Sequence, residues 1–202
     1  MTAAEAAASL AGEFSGAITG EKEFRGETTL VLRAGALRDV CAFAKENLGF
    51  DYLIDISSVD HFGDEPRFEV VYEIYSMRDG AHLRLKIPVS EEDCEAATVS
   101  DIWPTANWHE REVYDMMGIR FRDHPDLRRI LMWEGYPYHP LRKDFPLEGR
   151  PCDVPGLAFC EAAPLAGGPF VTVPTDGTTQ AREPRARHAG EISSPARSPE
   201  AP

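Results

Sequence analysis

The chain has 202 residues, 43% of them hydrophobic and 27% charged, with a formal net charge of -13. That length and balance suit one globular domain with a sizeable core and exclude a fibrous or wholly disordered chain. Residues 1–106 carry 20 acids and 9 bases and residues 107–150 carry 8 of each, so neither part has the net basic face that a nucleic-acid groove needs.

Residues 1–27 are weakly patterned and read as an N-terminal lead. The opening MTAAEAAASLAG has no basic n-region and is interrupted by Glu5, unlike a signal peptide. Residues 28–33 (TTLVLR) are a short β-type run. Leu37, Val40, Cys41, Ala44 and Leu48 then recur at helical spacing, which predicts an amphipathic helix stopped by Gly49. Phe50, Tyr52, Ile54 and Ile56 alternate with more polar neighbours, as do Phe68, Val70, Tyr72 and Ile74, and then Leu83, Leu85, Ile87 and Val89. Alternation of this kind predicts three half-buried strands. The links contain Gly63-Asp64 and Asp79-Gly80, both turn chemistry. The order is strand, helix, three-strand meander. It implies an α+β fold, a small and largely antiparallel sheet with helices on one face.

Ser90 ahead of Glu91, Glu92 and Asp93 resembles a capping box and predicts a short helix. Asn107, with Glu110 three residues later, is the predicted cap of a further helix that stops at Gly118. On that helix Val113, Met116 and Met117 share a face, and Arg111 and Asp115 are four apart and can pair. Past Phe121 the periodicity ends. His124-Pro125-Asp126 reads as a turn and residues 129–132 as a brief apolar run, and residues 135–151 hold four prolines. These last residues predict an extended, ordered, Pro-rich C-terminal arm. The organisation is therefore a lead (1–27), one domain with its arm (28–150) and an extended or disordered tail (151–202). The last 30 or so residues of that tail lack apolar side chains to offset chain entropy.

Four kinds of chemistry can be weighed. Glu112 and Asp115 are close enough on a helix to serve as an acid/base pair, but a solvated helix face with an internal ion pair is the simpler reading. A third reading pairs the helix carboxylates with Arg120, Arg122, Arg128, Arg129 or another chain, since arginine suits bidentate pairing. His109, Glu112, Asp115 and His124 can be assembled on paper into a metal-dependent hydrolase. No HExxH helix exists, because position 113 is Val, and turn histidines bonded to backbone are the plainer reading. Cys41, Cys94, Cys152 and Cys160 form no CxxC or ferredoxin-type pattern, which argues against a tetrathiolate zinc or iron–sulfur site here. Cys41 reads as a buried hydrophobe, and a Cys152–Cys160 disulfide is possible although nothing marks the chain as secreted. Neither GxGxxG, GxxxxGK[ST] nor GxSxG occurs, so no dinucleotide loop, phosphate loop or nucleophile turn is expected. Met116, Met117, Met132 and Trp133 could form an exposed anchor for a partner, but core packing is the default. A long, non-periodic arm rich in aromatics and arginine has no evident way to bury itself on its own small domain, and should find its burial on a second protein.

Three blocks carry a resemblance: Glu110-Arg111-Glu112-x-x-Asp115-Met116-Met117, then His124-Pro125-Asp126-Leu127-Arg128-Arg129-Ile130-Leu131, then His139-Pro140-Leu141-Arg142-Lys143-Asp144-Phe145-Pro146. In this order they resemble the signature of the C-type subunit family of NADH-quinone oxidoreductase, the 30 kDa-type subunit of respiratory complex I. The resemblance covers residues 28–147. Two features depart from it: Tyr136-Pro137-Tyr138 stands between Gly135 and His139, and the tail matches no pattern. The resemblance implies a peripheral-arm subunit without a cofactor of its own. FMN, iron–sulfur clusters, NADH and quinone would be bound by partner subunits. It implies contact with the D-type (49 kDa) subunit, which helps form the quinone site, and with subunits of the B and I types. The place implied is the cytoplasmic face of the cell membrane, reached only through the complex. Glu110, Arg111, Glu112, Asp115, His124, Arg128, Arg129, His139, Arg142, Lys143 and Asp144 would serve internal and intersubunit pairing. The matching subunit of a membrane-bound hydrogenase or an F420H2 dehydrogenase is the alternative.

Overall fold

The computed structural model describes residues 1–147, 149 and 150. Five strands make its central sheet: β1 (Ile18–Phe24), β2 (Glu27–Leu32), β3 (Tyr52–Asp60), β4 (Phe68–Ser76) and β5 (Ala81–Val89), in the spatial order β1-β2-β5-β4-β3. The meander β3-β4-β5 is antiparallel, as the alternation implies, and β1 and β2 form a hairpin. β2 lies parallel to β5, with Thr28 opposite Leu83. That neighbour relation requires a crossover. It begins, after α1 (Ala3–Glu13) at the N-terminus, with α2 (Leu37–Glu46). α2 buries Leu37, Val40, Cys41 and Ala44, the face expected from their spacing, and Gly49 ends its turn at φ +77.

One face of the sheet is apolar. Leu30, Leu32, Ile56, Phe68, Val70, Tyr72, Ile74, Leu83, Leu85 and Ile87 are buried there against the helices. Each such side chain contributes about 1.5–3 kcal/mol relative to exposure. The other face is a lattice of charges. Arg84 bridges Glu73 and Glu27, and Lys86 meets Glu69 at 2.5 Å. Pairs near a surface are worth at most about 1 kcal/mol each, so this face adds little stability.

Four expectations change. The alternation on β3 breaks at a bulge between Leu53 and Asp55. An extra residue there reverses the phase, so Leu53 and Ile56 turn inward while Tyr52 and Ile54 are 49% and 42% exposed. The weakly patterned start carries β1 and α1, the latter opened by a capping box in which Thr2 and Glu5 exchange hydrogen bonds of 2.8 and 3.2 Å. Ser90 does accept from Asp93 N at 3.1 Å, but no helix follows. Cys94 adopts φ +46 and turns the chain into a short strand, β6 (Glu95–Ala97). Finally, α3 (Ala106–Met117) starts at Thr105 without a side-chain cap, and Asn107 lies inside it. Gly118 ends α3 at φ +76, as expected, and β7 (Arg120–Arg122) then pairs parallel with β6.

Candidate functional site

A helix leaves its last four carbonyls without intrahelical donors. In α3 these belong to Tyr114, Asp115, Met116 and Met117, and every one is met. Gly118 N donates to Tyr114 O at 2.9 Å. Arg129 Nη1 and His139 Nδ1 both lie 3.1 Å from Asp115 O. Leu141 N donates to Met116 O at 3.1 Å, and Arg142 Nε donates to Met117 O at 2.6 Å. His139, Leu141 and Arg142 therefore deliver their donors to successive carbonyls, and the arm is the C-terminal cap of α3. The two guanidinium charges also sit where the helix dipole favours a cation. His139 must carry its proton on Nδ1, since a carbonyl faces it, and burial lowers its pKa. Gly118 leaves room for this approach. A Cβ there would lie 2.6 Å from the His139 ring and 2.7 Å from Arg142 Nη2.

The Asp115 side chain organises the other half of the cap. It is fully buried. Oδ1 accepts from Arg129 Nη1 at 2.5 Å, and Oδ2 accepts from the amides of Ile130, Leu131 and Met132 at 3.0, 2.7 and 2.8 Å. Burial alone would raise this carboxyl. The amides of Met132, Leu131 and Ile130 together with Arg129 outweigh it and hold the group below its ordinary value. Three consecutive N–H groups aimed at one oxygen make an anion nest, which is how residues 129–132 acquire order without periodicity.

Arg111 does not pair with Asp115. Its Nε and Nη2 donate to the carbonyls of Arg128 and Arg129 at 3.1 and 3.3 Å, and its guanidinium stacks 5.0 Å from the Trp108 ring. Arg129 in turn reaches Tyr138 O at 3.1 Å. Arg128 pairs with Asp126 at the surface. Glu110 is buried on the same helix, where its Oε1 accepts Val99 N at 2.7 Å. Glu112 is exposed, with no ion pair among the described residues.

A second anchor holds the arm further along. Arg67 forms a fork on Asp60, with Nε and Nη2 at 2.9 and 3.0 Å, donates to Glu91 at 2.5 Å, and also bonds Asp144. Arg67 and Asp60 are both buried, and Lys143 N adds a bond to Asp60 Oδ2 at 2.8 Å. Arg67 holds the carboxyls of Asp60 and Asp144 below their ordinary range. Lys143 thus contributes its backbone amide here. Asp60 and Arg67 escape sequence reasoning because they read as the rim of a turn. The signal lies in register: Asp60 stands opposite Phe68, which faces the core, and an inward acid needs a buried cation.

The arm is therefore tied to its own domain at two points, contrary to the expectation that it has no burial there. The polar groups supply that attachment. The four paper ligands of a metal are not brought together. His109 pairs with Asp55 at 3.1 Å, the Asp115 oxygens are occupied, Glu112 faces solvent, and His124 bonds backbone groups. Among the described residues no group of three His, Cys, Asp or Glu is placed to hold a metal ion. Cys152, Cys160 and the tail lie outside the described residues. Apolar side chains also face outward here: Trp108, Leu131 and Leu141 are each about 60% exposed, and Leu147 is 91% exposed. Leu131 and Leu141 are held by their own amide bonds to Asp115 and Met116 O, so they are displayed on pinned backbone. No helix among the described residues is long and apolar enough to cross a membrane.

Similarity to known proteins follows the same residues. The model of the family described as respiratory-chain NADH dehydrogenase, 30 Kd subunit, matches residues 30–151. The C subunit of NADH-quinone oxidoreductase from Geotalea uraniireducens is 50% identical over 137 residues, which cover 68% of this chain and 84% of that protein. The C 2 subunit of the same enzyme from Rhizobium meliloti is 46% identical over 140 residues, 68% of this chain and 76% of that one. Among solved structures, a trypsin-resistant fragment of Nqo5 superposes with a TM-score of 0.53 at 35% identity, covering 61% of this chain and 95% of that one. A chain of the archaeal membrane-bound sulfane sulfur reductase, a respiratory membrane complex, gives 0.62 at 26% identity, covering 71% and 85%. With the family model spanning well over half of the sequence and these relatives matched over most of their own length, the chain belongs to the 30 kDa subunit family of respiratory-chain NADH dehydrogenase, the C-type subunit of complex I.

Proposed function

We propose that the chain is a non-catalytic building block of the peripheral arm, one that supports the D-type quinone-site subunit while electrons pass from NADH to quinone through cofactors held elsewhere. The observation that carries this reading is how the signature residues are spent. Asp115, Arg129, His139 and Arg142 use their polar groups to cap α3 and fix the arm. No acid, base or nucleophile among these four is left aimed at a cleft. The side chains displayed between them, Leu131 and Leu141, are what a docking partner would cover. On this reading Glu112 belongs to the partner-facing surface. Subunits of the B and I types are further neighbours in the same arm, on the cytoplasmic face of the membrane, and the membrane is reached only through them.

The test is affinity capture of the full chain from its own membranes in mild detergent, with the eluate assayed for partners and for NADH oxidation. The expected result is co-purification with a 49 kDa D-type protein, and no NADH oxidation by the chain purified alone. An isolated chain that oxidised NADH would refute the proposal.

A second reading keeps the same role but places it in a related membrane-bound complex. The superposition on a chain of the sulfane sulfur reductase favours considering it. Capture of partners lacking an NADH-oxidising module would select this second reading.

A further inference from the structure

β3 is the last strand of the sheet, so its outer edge has no neighbouring strand. A groove of about 130 Å³ opens between it and α3. The buried part of its lining is apolar: Ile56 from the strand, and Val113, Met116 and Met117 from the helix. The exposed Leu141 adds a lip from the arm. The remaining lining is rich in oxygen, with Asp55, Ser57 and Ser58 on one side and Glu112 on the other. Among the described residues no lysine, arginine or histidine lines it. The walls are fixed in place. His109 holds Asp55 at 3.1 Å, and Leu141 N donates to Met116 O at 3.1 Å. The space takes one long side chain, not a helix or a strand.

Charge decides which side chain. Glu112 and Met116 are four apart on α3, so the carboxylate and the thioether share one face of the helix. Glu112 and the hydroxyls of Ser57 and Ser58 have no hydrogen-bond or ionic partner among the described residues. An aliphatic occupant would suit the methionines but would cover the Glu112 carboxylate without a cation, which is costly. An acidic occupant would meet the like charges of Glu112 and Asp55. A cation on an apolar stem satisfies both parts of the lining. The stem lies on the adaptable thioethers, and the head donates to the carboxylate and the hydroxyls. This chain's own arginines nearby are committed elsewhere: Arg111 to the carbonyls of Arg128 and Arg129, Arg129 to Asp115, and Arg142 to Met117 O. Residues 1–106 carry 20 acids and 9 bases, and that surplus steers a cation towards this side of the molecule.

We propose that the groove between β3 and α3 receives one lysine or arginine side chain of the docking partner, with its stem on Met116 and Met117 and its charge on Glu112. This role rests on the docked-subunit reading above and deepens it. The exposed leucines offer area to any apolar surface, whereas the groove selects a partner by charge and sets how fast it leaves.

The experiment captures the full chain from its own membranes and measures the rate at which the co-purifying partner is released. Wild type is compared with Glu112→Gln, Glu112→Asp and Glu112→Lys, and with Glu92→Gln as an exposed acid outside the groove. Glutamine keeps the shape of glutamate and removes only its charge. Glu112→Gln should speed release by about tenfold or more, Glu112→Asp should speed it less, and Glu112→Lys should abolish capture. The melting temperature of the free chain should not change in any of them. Release from Glu112→Gln at the wild-type rate overturns the proposal, because an aliphatic occupant is indifferent to that change. So does equal acceleration by Glu92→Gln, which would mean a general effect of net charge. A wild-type chain that captures no partner at all overturns the docked-subunit reading and the groove with it, so the two failures are told apart.

Discussion

Asp115 shows how much one side chain can hold when its acceptors are fully used. Three amides and a guanidinium converge on it, and the carboxylate is buried with a partner that is itself only 13% exposed. Breaking one member of such a pair leaves the other uncompensated, at a cost of about 3–5 kcal/mol. Asp115→Asn should therefore lose roughly that much in urea unfolding of the full chain, because an amide cannot accept all four bonds. The sign with pH follows from linkage. The Asp115 carboxyl lies below its ordinary 3.8, so its contribution is complete above that value and is lost as pH falls through the folded pKa. The wild type should show an acid-side loss of stability, of which the Asp115→Asn chain has a smaller share. Equal acid limbs in both would contradict the assignment.

At the scale of elements, α3 and the arm are one unit. The helix has four terminal carbonyls to satisfy, and the arm has donors without a ladder to join, so each completes the other. Gly118 is the joint. Its φ of +76 disfavours any Cβ, and the space a Cβ would take is filled by His139 and Arg142. Gly118→Ala should cost more than the roughly 1 kcal/mol of a left-handed alanine, since the cap must also move. Limited proteolysis should cut the variant within residues 119–147 faster than the wild type, with β3, β4 and β5 still protected. Uniform loss of protection across the sheet would mean that the cap is not a local unit. The bulge in β3 works at the same scale: one extra residue decides which side of the strand meets the core.

For the whole molecule, the division is between residues that hold the chain together and residues that remain for others. Arg111 belongs to the first group, because its guanidinium satisfies two backbone carbonyls. Glu112, its neighbour, has no ion pair among the described residues and faces solvent. Arg111→Ala should lower the stability of the isolated chain by about 1–3 kcal/mol, the cost of leaving such groups unsatisfied. Glu112→Ala should leave that stability within about 0.5 kcal/mol and instead reduce the amount of assembled complex. Melting curves of the free chain, set beside native gels of membranes, separate the two. A Glu112→Ala chain that melts early but assembles normally would reverse the division.

Local periodicity is enough to read the β3-β4-β5 meander, the buried face of α2 and the glycine stops at Gly49 and Gly118. Each of these depends on residues a few positions apart, where alternation or helical spacing directly reports which side chains meet the core. The partner of Asp115 is not legible in that way. Arg111, four residues before it, is the local choice, yet Arg129, fourteen residues on, takes the place. Arg142 finds Met117 O across 25 positions, and Arg67 finds Asp144 across 77. Which donor reaches a buried acceptor depends on where the chain returns after β7, and no spacing rule contains that return. The composition of the arm suggests a segment with nothing of its own to lie on. Folding places the open end of a helix beneath it, and unsatisfied carbonyls are a stronger demand on an arginine than any neighbour in sequence.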